Sequence, residues 1–205
     1  MILIVGGVCS GKCAFARRLL DAGATPGACG GRRDGSARRF APELDCAHLV
    51  AGSASATDGT QALVAAAREP GSLLLNAHAL ASALLHRDAD DPSVPAAPSA
   101  DAGSAAQPSG GGRHPSWRFE EADVRALAER LVAWPVVTWA EQGCGVVPVD
   151  ARERCLREAA GRLGCELATR AEVVVRMTCG LPRLLKGALP AELLTPRSGG
   201  GAPCS

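Results

Sequence analysis

The chain has almost no excess of either charge: across its 205 residues, 22 Lys and Arg against 21 Asp and Glu leave a formal net charge of +1 at pH 7. That excludes a whole-protein pull toward nucleic acid or an anionic membrane and directs attention to a small-molecule partner. It also lacks any apolar run approaching the roughly 20 residues needed to span a bilayer. No basic region precedes the short hydrophobic stretch at the start. Neither insertion nor export is expected on those grounds, and the expected location is the cytoplasm. The nine cysteines, Cys9, Cys13, Cys29, Cys46, Cys144, Cys155, Cys165, Cys179 and Cys204, contain no C-x-x-C pair and no zinc-type His spacing. That spacing argues against a structural metal site, and free thiols in a reducing compartment are expected.

What is present begins at the first residue. Met1-Ile2-Leu3-Ile4-Val5 is an apolar, β-branched run, and Gly6-Gly7-Val8-Cys9-Ser10-Gly11-Lys12-Cys13 follows it directly. This is G-x-x-x-x-G-K with Cys13 where a Ser or Thr is expected, and Ala14 to Leu20 can continue it as a helix. Glycines let the backbone wrap closely around phosphate oxygens, so that successive N–H groups at a helix start point toward them. Lys12 adds a point charge for the β- and γ-phosphates. Gly6, Gly7, Val8, Cys9, Ser10, Gly11, Lys12 and Cys13 are therefore the expected nucleotide-phosphate site. Cys13 removes the hydroxyl that would ligate Mg²⁺, and sulfur is a poor ligand for that hard cation. Cys9 and Cys13 have two readings: thiols activated at a helix N-terminus beside Lys12, or small residues tolerated in a loop.

Residues 23–42 are rich in Gly, Arg, Ala and Pro and have no periodicity, so they read as a loop. Its Arg32, Arg33, Arg38 and Arg39 either reach for phosphate or form a solvated basic face. Residues 60–69 read as a helix. Ser72 to Asn76 reads as a buried parallel strand whose polar tip meets a ligand site, with a helix over Ala77 to His86. From Asp88 to Ser116 the composition cannot bury enough apolar surface to hold order. Val124, Leu127, Ala128, Leu131 and Val132 mark an amphipathic helix within Phe119 to Trp134, and a strand over Pro135 to Ala140 follows. Asp150 and Glu153 form a capping-box-like pair ahead of a helix with the stripe Leu156, Ala159, Ala160, Leu163 and Leu167. Glu172 to Met177 reads as a last strand and Gly187 onward as a tail. The expected fold is α/β, P-loop NTPase-like, with a mostly parallel sheet and helices on both faces. It forms a single nucleotide-binding domain over 1–187, with a disordered insertion at about 88–116 and a flexible tail over 188–205. Ligands in such sheets sit at the carboxyl ends of the strands, which places Lys12, Asn76 and Glu141 near one another.

The second half carries a further pattern: Val137-Thr138-Trp139-Ala140-Glu141-Gln142-Gly143-Cys144-Gly145-Val146-Val147-Pro148, then A-G-R-L at 160–163 and C-G-L-P-R-L-L-K at 179–186. With the opening ILIVGGVCSGK, it resembles the adenosylcobinamide kinase / adenosylcobinamide-phosphate guanylyltransferase family of cobalamin biosynthesis. The resemblance covers residues 1–20 and 135–186, and more weakly 73–86. It implies GTP or ATP with Mg²⁺, adenosylcobinamide as the corrinoid substrate, and a homotrimer. Gly6 to Cys13 would hold the phosphates, and Glu141 with Gly143 and Gly145 would match the family's E-x-G-x-G segment. From the residues alone, Glu141 either helps hold Mg²⁺ through water or is a surface carboxylate in a glycine turn.

The chain departs from the family at Cys13 and at Asn76, which replaces an Asp. It also lacks the R-I-x-x-H stretch whose His accepts the guanylyl group. His48 lies in the right interval without the flanking residues, and is either that acceptor or a structural residue; His78 and His86 read as ordinary helix residues. The catalytic expectation is thus Lys12, Glu141 and His48, with Cys13, Asn76 and Glu141 around Mg²⁺. The expected activity is phosphorylation of adenosylcobinamide, with guanylyl transfer to its phosphate as a second step. The alternative is a catalytically degenerate paralogue that binds nucleotide or corrinoid without turnover. An unrelated P-loop kinase or ATPase would explain only the first twenty residues.

Overall fold

A computed structural model describes residues 1–24, 43–46, 73–87, 117–142 and 145–195. The apolar run after Met1 forms β1 (Ile2–Gly6), which lies between two parallel neighbours, β6 (Val136–Ala140) and β7 (Val173–Thr178). Ile2 pairs with Val136 and Val173, and Gly6 with Ala140 and Met177. Outward from β6 come β3 (Leu73–Leu75) and then β2 (Glu43–Asp45), also parallel. At the other edge β8 (Leu181–Lys186) runs antiparallel to β7, giving the order β2-β3-β6-β1-β7-β8. A separate antiparallel pair joins β4 (His86–Arg87) to β5 (Trp117–Arg118).

Strand alternation distributes the apolar residues to two faces. Leu3, Leu74, Val137 and Val174 join a core with the 3₁₀ segment Ala77–Leu84, α2 (Glu121–Leu131) and α3 (Ala151–Arg170). Ile2, Ile4, Leu73, Leu75 and Val136 join another with α1 (Lys12–Asp21) and α4 (Ala191–Leu194). Coverage on both faces is what continuous apolar strands require, since each fully buried Leu, Ile or Val contributes about 1.5–3 kcal/mol.

The helix periodicities hold: Val124, Ala128 and Leu131 are buried on α2, and Ala159, Ala160, Leu163 and Leu167 on α3. The cap at Asp150 is half of the expected box. Its side chain accepts from the Glu153 N–H at 2.8 Å, but the Glu153 carboxylate turns to Arg157 at 2.7 Å.

Three stretches differ from the sequence reading. The segment after Asn76 is a 3₁₀ helix that stops at Leu84, because Leu85 turns extended and His86 enters β4. The strand after α3 is not the last. Cys179 and Gly180, with φ of 49° and 80°, form the positive-φ pair of a tight hairpin turn into β8. Pro182 is tolerated there because β8 is an edge strand, and its half-exposed pattern gave no buried-strand signal. Within the stretch read as a tail, residues 188–195 pack against the body: Leu193 is buried, and Arg18 Nη2 donates to the carbonyls of Glu192 (2.8 Å), Leu193 (2.7 Å) and Thr195 (3.2 Å). The expected helix over 60–69, the segment 88–116 and residues 196–205 lie outside the described residues.

Replacing Asp150 with Ala removes the only side-chain cap among the described helices. We expect a loss of about 1 kcal/mol in urea-unfolding free energy, with an unchanged m-value.

Candidate functional site

Parallel pairing brings the carboxyl ends of β1, β2, β3 and β6 to one edge, and the chemistry-bearing residues gather there. The loop from Gly6 to Lys12 leaves β1 and opens directly into α1. Its course depends on two glycines. A Cβ on Gly6 would lie 2.6 Å from Ser10 Oγ and 2.7 Å from the Met177 carbonyl oxygen, so no larger residue fits without movement. Gly11 turns the chain into α1 at φ 88°, with Gly180 Cα only 3.2 Å from where its Cβ would be.

Lys12, 6% exposed, folds back so that its ammonium donates to the Gly7 carbonyl at 2.8 Å. The Ser10 N–H donates to the same oxygen at 3.3 Å. Among the described residues that is the sole hydrogen bond of the Lys12 side chain, and no carboxylate pairs with it. Ser10 Oγ is likewise buried without a partner. A buried ammonium on one neutral carbonyl and an unsatisfied buried hydroxyl are costly in an apolar setting, and both lie where the first N–H groups of α1 begin. Such an arrangement suits an anion.

Asn76 follows β3 in the left-handed region, at φ 53°. Its N–H donates to Thr138 Oγ1 at 2.9 Å and its Nδ2 to Asp45 Oδ1 at 3.0 Å, tying the ends of β3 and β2 to the middle of β6. Asp45 is the carboxylate that sequence reasoning missed as a site residue. The signal available was the same as for Asn76, a polar residue closing a short apolar run. His78 is also at this edge: its Nδ1 accepts from the Ala140 N–H at 3.4 Å, and its ring meets the Trp139 ring edge-on at 6.2 Å. Burial lowers the His78 pKa from 6.5, the positive charge of Lys12 lowers it further, and Asp45 opposes both. The ring is therefore neutral at pH 7, and with Nδ1 accepting it carries its proton on Nε2, a donor. His86, by contrast, pairs with Asp123 at 3.2 Å.

Glu141 continues β6, its N–H donating to the Gly6 carbonyl at 3.1 Å, so it does lie beside the loop. Its carboxylate, however, is held in a fork by Arg176 of β7, at 2.9 Å to Nε and 3.2 Å to Nη2. Cys13 is half-buried, and desolvation raises its thiol pKa against the opposing pull of Lys12 and Arg17. Of the two readings of Cys13, the thiol activated at a helix start is not the one this direction favours, because loss of water outweighs the nearby cations.

The expected Mg²⁺ set thus consists of a protonated thiol, an amide committed to Asp45 and a carboxylate clamped by Arg176. These three do not fit a hard cation, and among the described residues no group of three or more His, Cys, Asp or Glu is placed to hold a metal. His48, Gly143, Cys144 and the arginines at 32, 33, 38 and 39 lie outside the described residues.

Fold and site together define a mixed α/β protein with a mostly parallel six-stranded sheet flanked by helices. No described helix is long and apolar enough to cross a membrane. No family model matches the chain, and no curated protein matches it either.

Because the folded His78 releases its proton below pH 6.5 while the unfolded one titrates near it, the unfolded state binds more protons in that window. Stability should fall as the pH drops below 6.5 and be insensitive to this group above it. Urea midpoints measured from about pH 5 to 8 should show that slope, and His78→Gln should flatten it.

Proposed function

We propose that the chain binds a nucleoside triphosphate through Gly6–Cys13 and transfers its γ-phosphoryl group to the hydroxyl of adenosylcobinamide, as a diverged relative of the adenosylcobinamide kinase / adenosylcobinamide-phosphate guanylyltransferase family. The observation that carries the reading is the buried Lys12 ammonium, held among the described residues only by the Gly7 carbonyl at the mouth of a loop that starts a helix. A phosphate would take over that ammonium, meet the loop N–H groups and give the Ser10 hydroxyl a partner. In the transfer step the substrate oxygen bonds to the γ-phosphorus as the bond to the β-γ bridging oxygen breaks, the nucleoside diphosphate leaves with that oxygen, and the hydroxyl proton passes to solvent water. Lys12 and the loop amides stabilise the charge that develops on the phosphoryl oxygens. The side-chain donor brought to this edge besides Lys12 is the Nε2–H of neutral His78, which orients substrate. Whether guanylyl transfer follows depends on His48.

A specific observation favours the second reading, a paralogue that binds nucleotide or corrinoid without turnover. The carboxylate at the loop, Glu141, is engaged by Arg176, and the strand-tip Asn76 is a neutral amide. Binding is then retained and turnover lost.

Purified protein incubated with Mg²⁺, adenosylcobinamide and GTP labelled in either the γ- or the α-phosphate separates the two. Transfer of γ-label to adenosylcobinamide is the expected result for the kinase, and acid-labile α-label on the protein for a guanylyl acceptor. Nucleotide binding with neither label transferred supports the paralogue. In either case Lys12→Ala should weaken GTP binding by roughly 10- to 100-fold, the loss of a charge-assisted contact of about 1.5–3 kcal/mol. Unchanged binding would refute the nucleotide site.

A further inference from the structure

Cys9 and Cys179 stand on two turns that touch. Cys9 belongs to the loop after β1, and Cys179 opens the turn between β7 and β8. The residue after each supplies one end of a backbone hydrogen bond, Gly180 N–H to the Ser10 carbonyl, at 3.0 Å. The backbones are close there, since a Cβ on Gly11 would approach Gly180 Cα to 3.2 Å. Both cysteines have positive φ, 56° and 49°, a conformation that costs a non-glycine residue about 1–2 kcal/mol. Both are exposed free thiols.

The other described cysteines are set apart by burial or by place. Cys46 is buried and pushed up to about 12 by desolvation, then by Asp45. Burial also raises Cys13 and Cys155. Cys165 is exposed, but it lies on α3, on the face of the sheet opposite α1. Thiol exchange requires accessible thiols and a second thiol within reach, and among the described cysteines Cys9 and Cys179 are the exposed pair carried on two turns that are hydrogen-bonded to each other.

We propose that Cys9 and Cys179 form a reversible thiol–disulfide site that fastens the Gly6–Lys12 loop to the β7–β8 turn. The oxidant is a low-molecular-weight disulfide of the glutathione type. One cysteine thiolate attacks it, the small S–S bond breaks and one small thiolate leaves. The second cysteine thiolate then attacks the protein sulfur of the mixed disulfide and expels the other small thiolate. Two protein thiols lose two electrons, the small disulfide gains them, and the two protons end on the released thiols. Disulfides of this exposed, locally strained kind are the labile and regulatory ones. A cross-link at Cys9, inside the loop whose N–H groups would meet a phosphate, restricts the adjustment of those groups around it. That consequence rests on the nucleotide reading above, whereas the cross-link does not.

The test uses the full chain equilibrated in glutathione buffers of rising oxidised fraction, quenched in acid, alkylated, digested and mapped by mass spectrometry, with GTP retention measured on the same samples. The expected result is a Cys9–Cys179 linked peptide that is reversed by dithiothreitol, together with loss of most of the GTP retention. In Cys179→Ser, Cys9 should advance no further than a glutathione adduct. Separate glutathione adducts on both cysteines of the unaltered chain would overturn the proposal. So would pairing of Cys9 with Cys13, Cys29, Cys144 or Cys204, or a linked protein that keeps its GTP. If the reduced chain retains no GTP at all, the nucleotide reading fails instead, and the peptide map alone decides the pair.

Discussion

The parallel pairing of β1 with β6 on one side and β7 on the other is the constraint from which the rest of the molecule follows. Because those strands run the same way, their carboxyl ends share an edge, and the connections that reverse the chain must cross the faces of the sheet. Those crossings bury the strands, which is why β1 and β6 read as continuous apolar runs rather than as alternating ones. The same register sets Gly6 opposite Ala140 and Met177. The loop that follows Gly6 is thereby pressed against Glu141 on one side and the turn at Gly180 on the other.

At that edge polar satisfaction is uneven, and the unevenness is informative. Asn76, Asp45 and Thr138 satisfy one another across three strands, and Glu141 is satisfied by Arg176. Among the described residues Lys12 and Ser10, two apart in the loop, are left with one neutral carbonyl and with no side-chain partner, respectively. Buried polar groups in a folded protein are nearly always paired; among the described residues the Trp134 indole N–H is also without a partner, but the deficit at Lys12 and Ser10 is the one that an anionic ligand would remove. Glu141 at this edge is paired with Arg176, and so the proposed phosphate contact rests on the loop rather than on that strand tip.

How much of this was legible varies with the range of the interaction. The β1–loop–α1 unit and the stripes of α2 and α3 follow from local periodicity and from glycines at fixed spacing. The Asp150 cap follows from a side chain three residues from its donor. The 3₁₀ segment after Asn76 and the strand β8 were not legible. The first spaces Ala77, Leu80, Ala81 and Leu84 as an α-helix would, and the second is half-exposed and carries Pro182. The packing of Leu193 and the grip of Arg18 on the carbonyls of Glu192, Leu193 and Thr195 join residues some 175 apart, and no local signal marks them.

The sequence by itself determined that a parallel α/β sheet opens with a glycine-rich turn, that Lys12 begins the helix after it, and that Asn76 and Glu141 stand at strand ends. Each of these is fixed by spacing along a few residues of chain. Only the tertiary structure decided what those groups face. It turned Lys12 onto the Gly7 carbonyl, gave Glu141 to Arg176 and Asn76 to Asp45, and drew the Cys13 thiol up where a helix start alone would draw it down. It also set the Cys179 turn against the Cys9 loop. Such outcomes depend on desolvation and on partners brought from distant strands, and these are properties of packing rather than of local order in the chain.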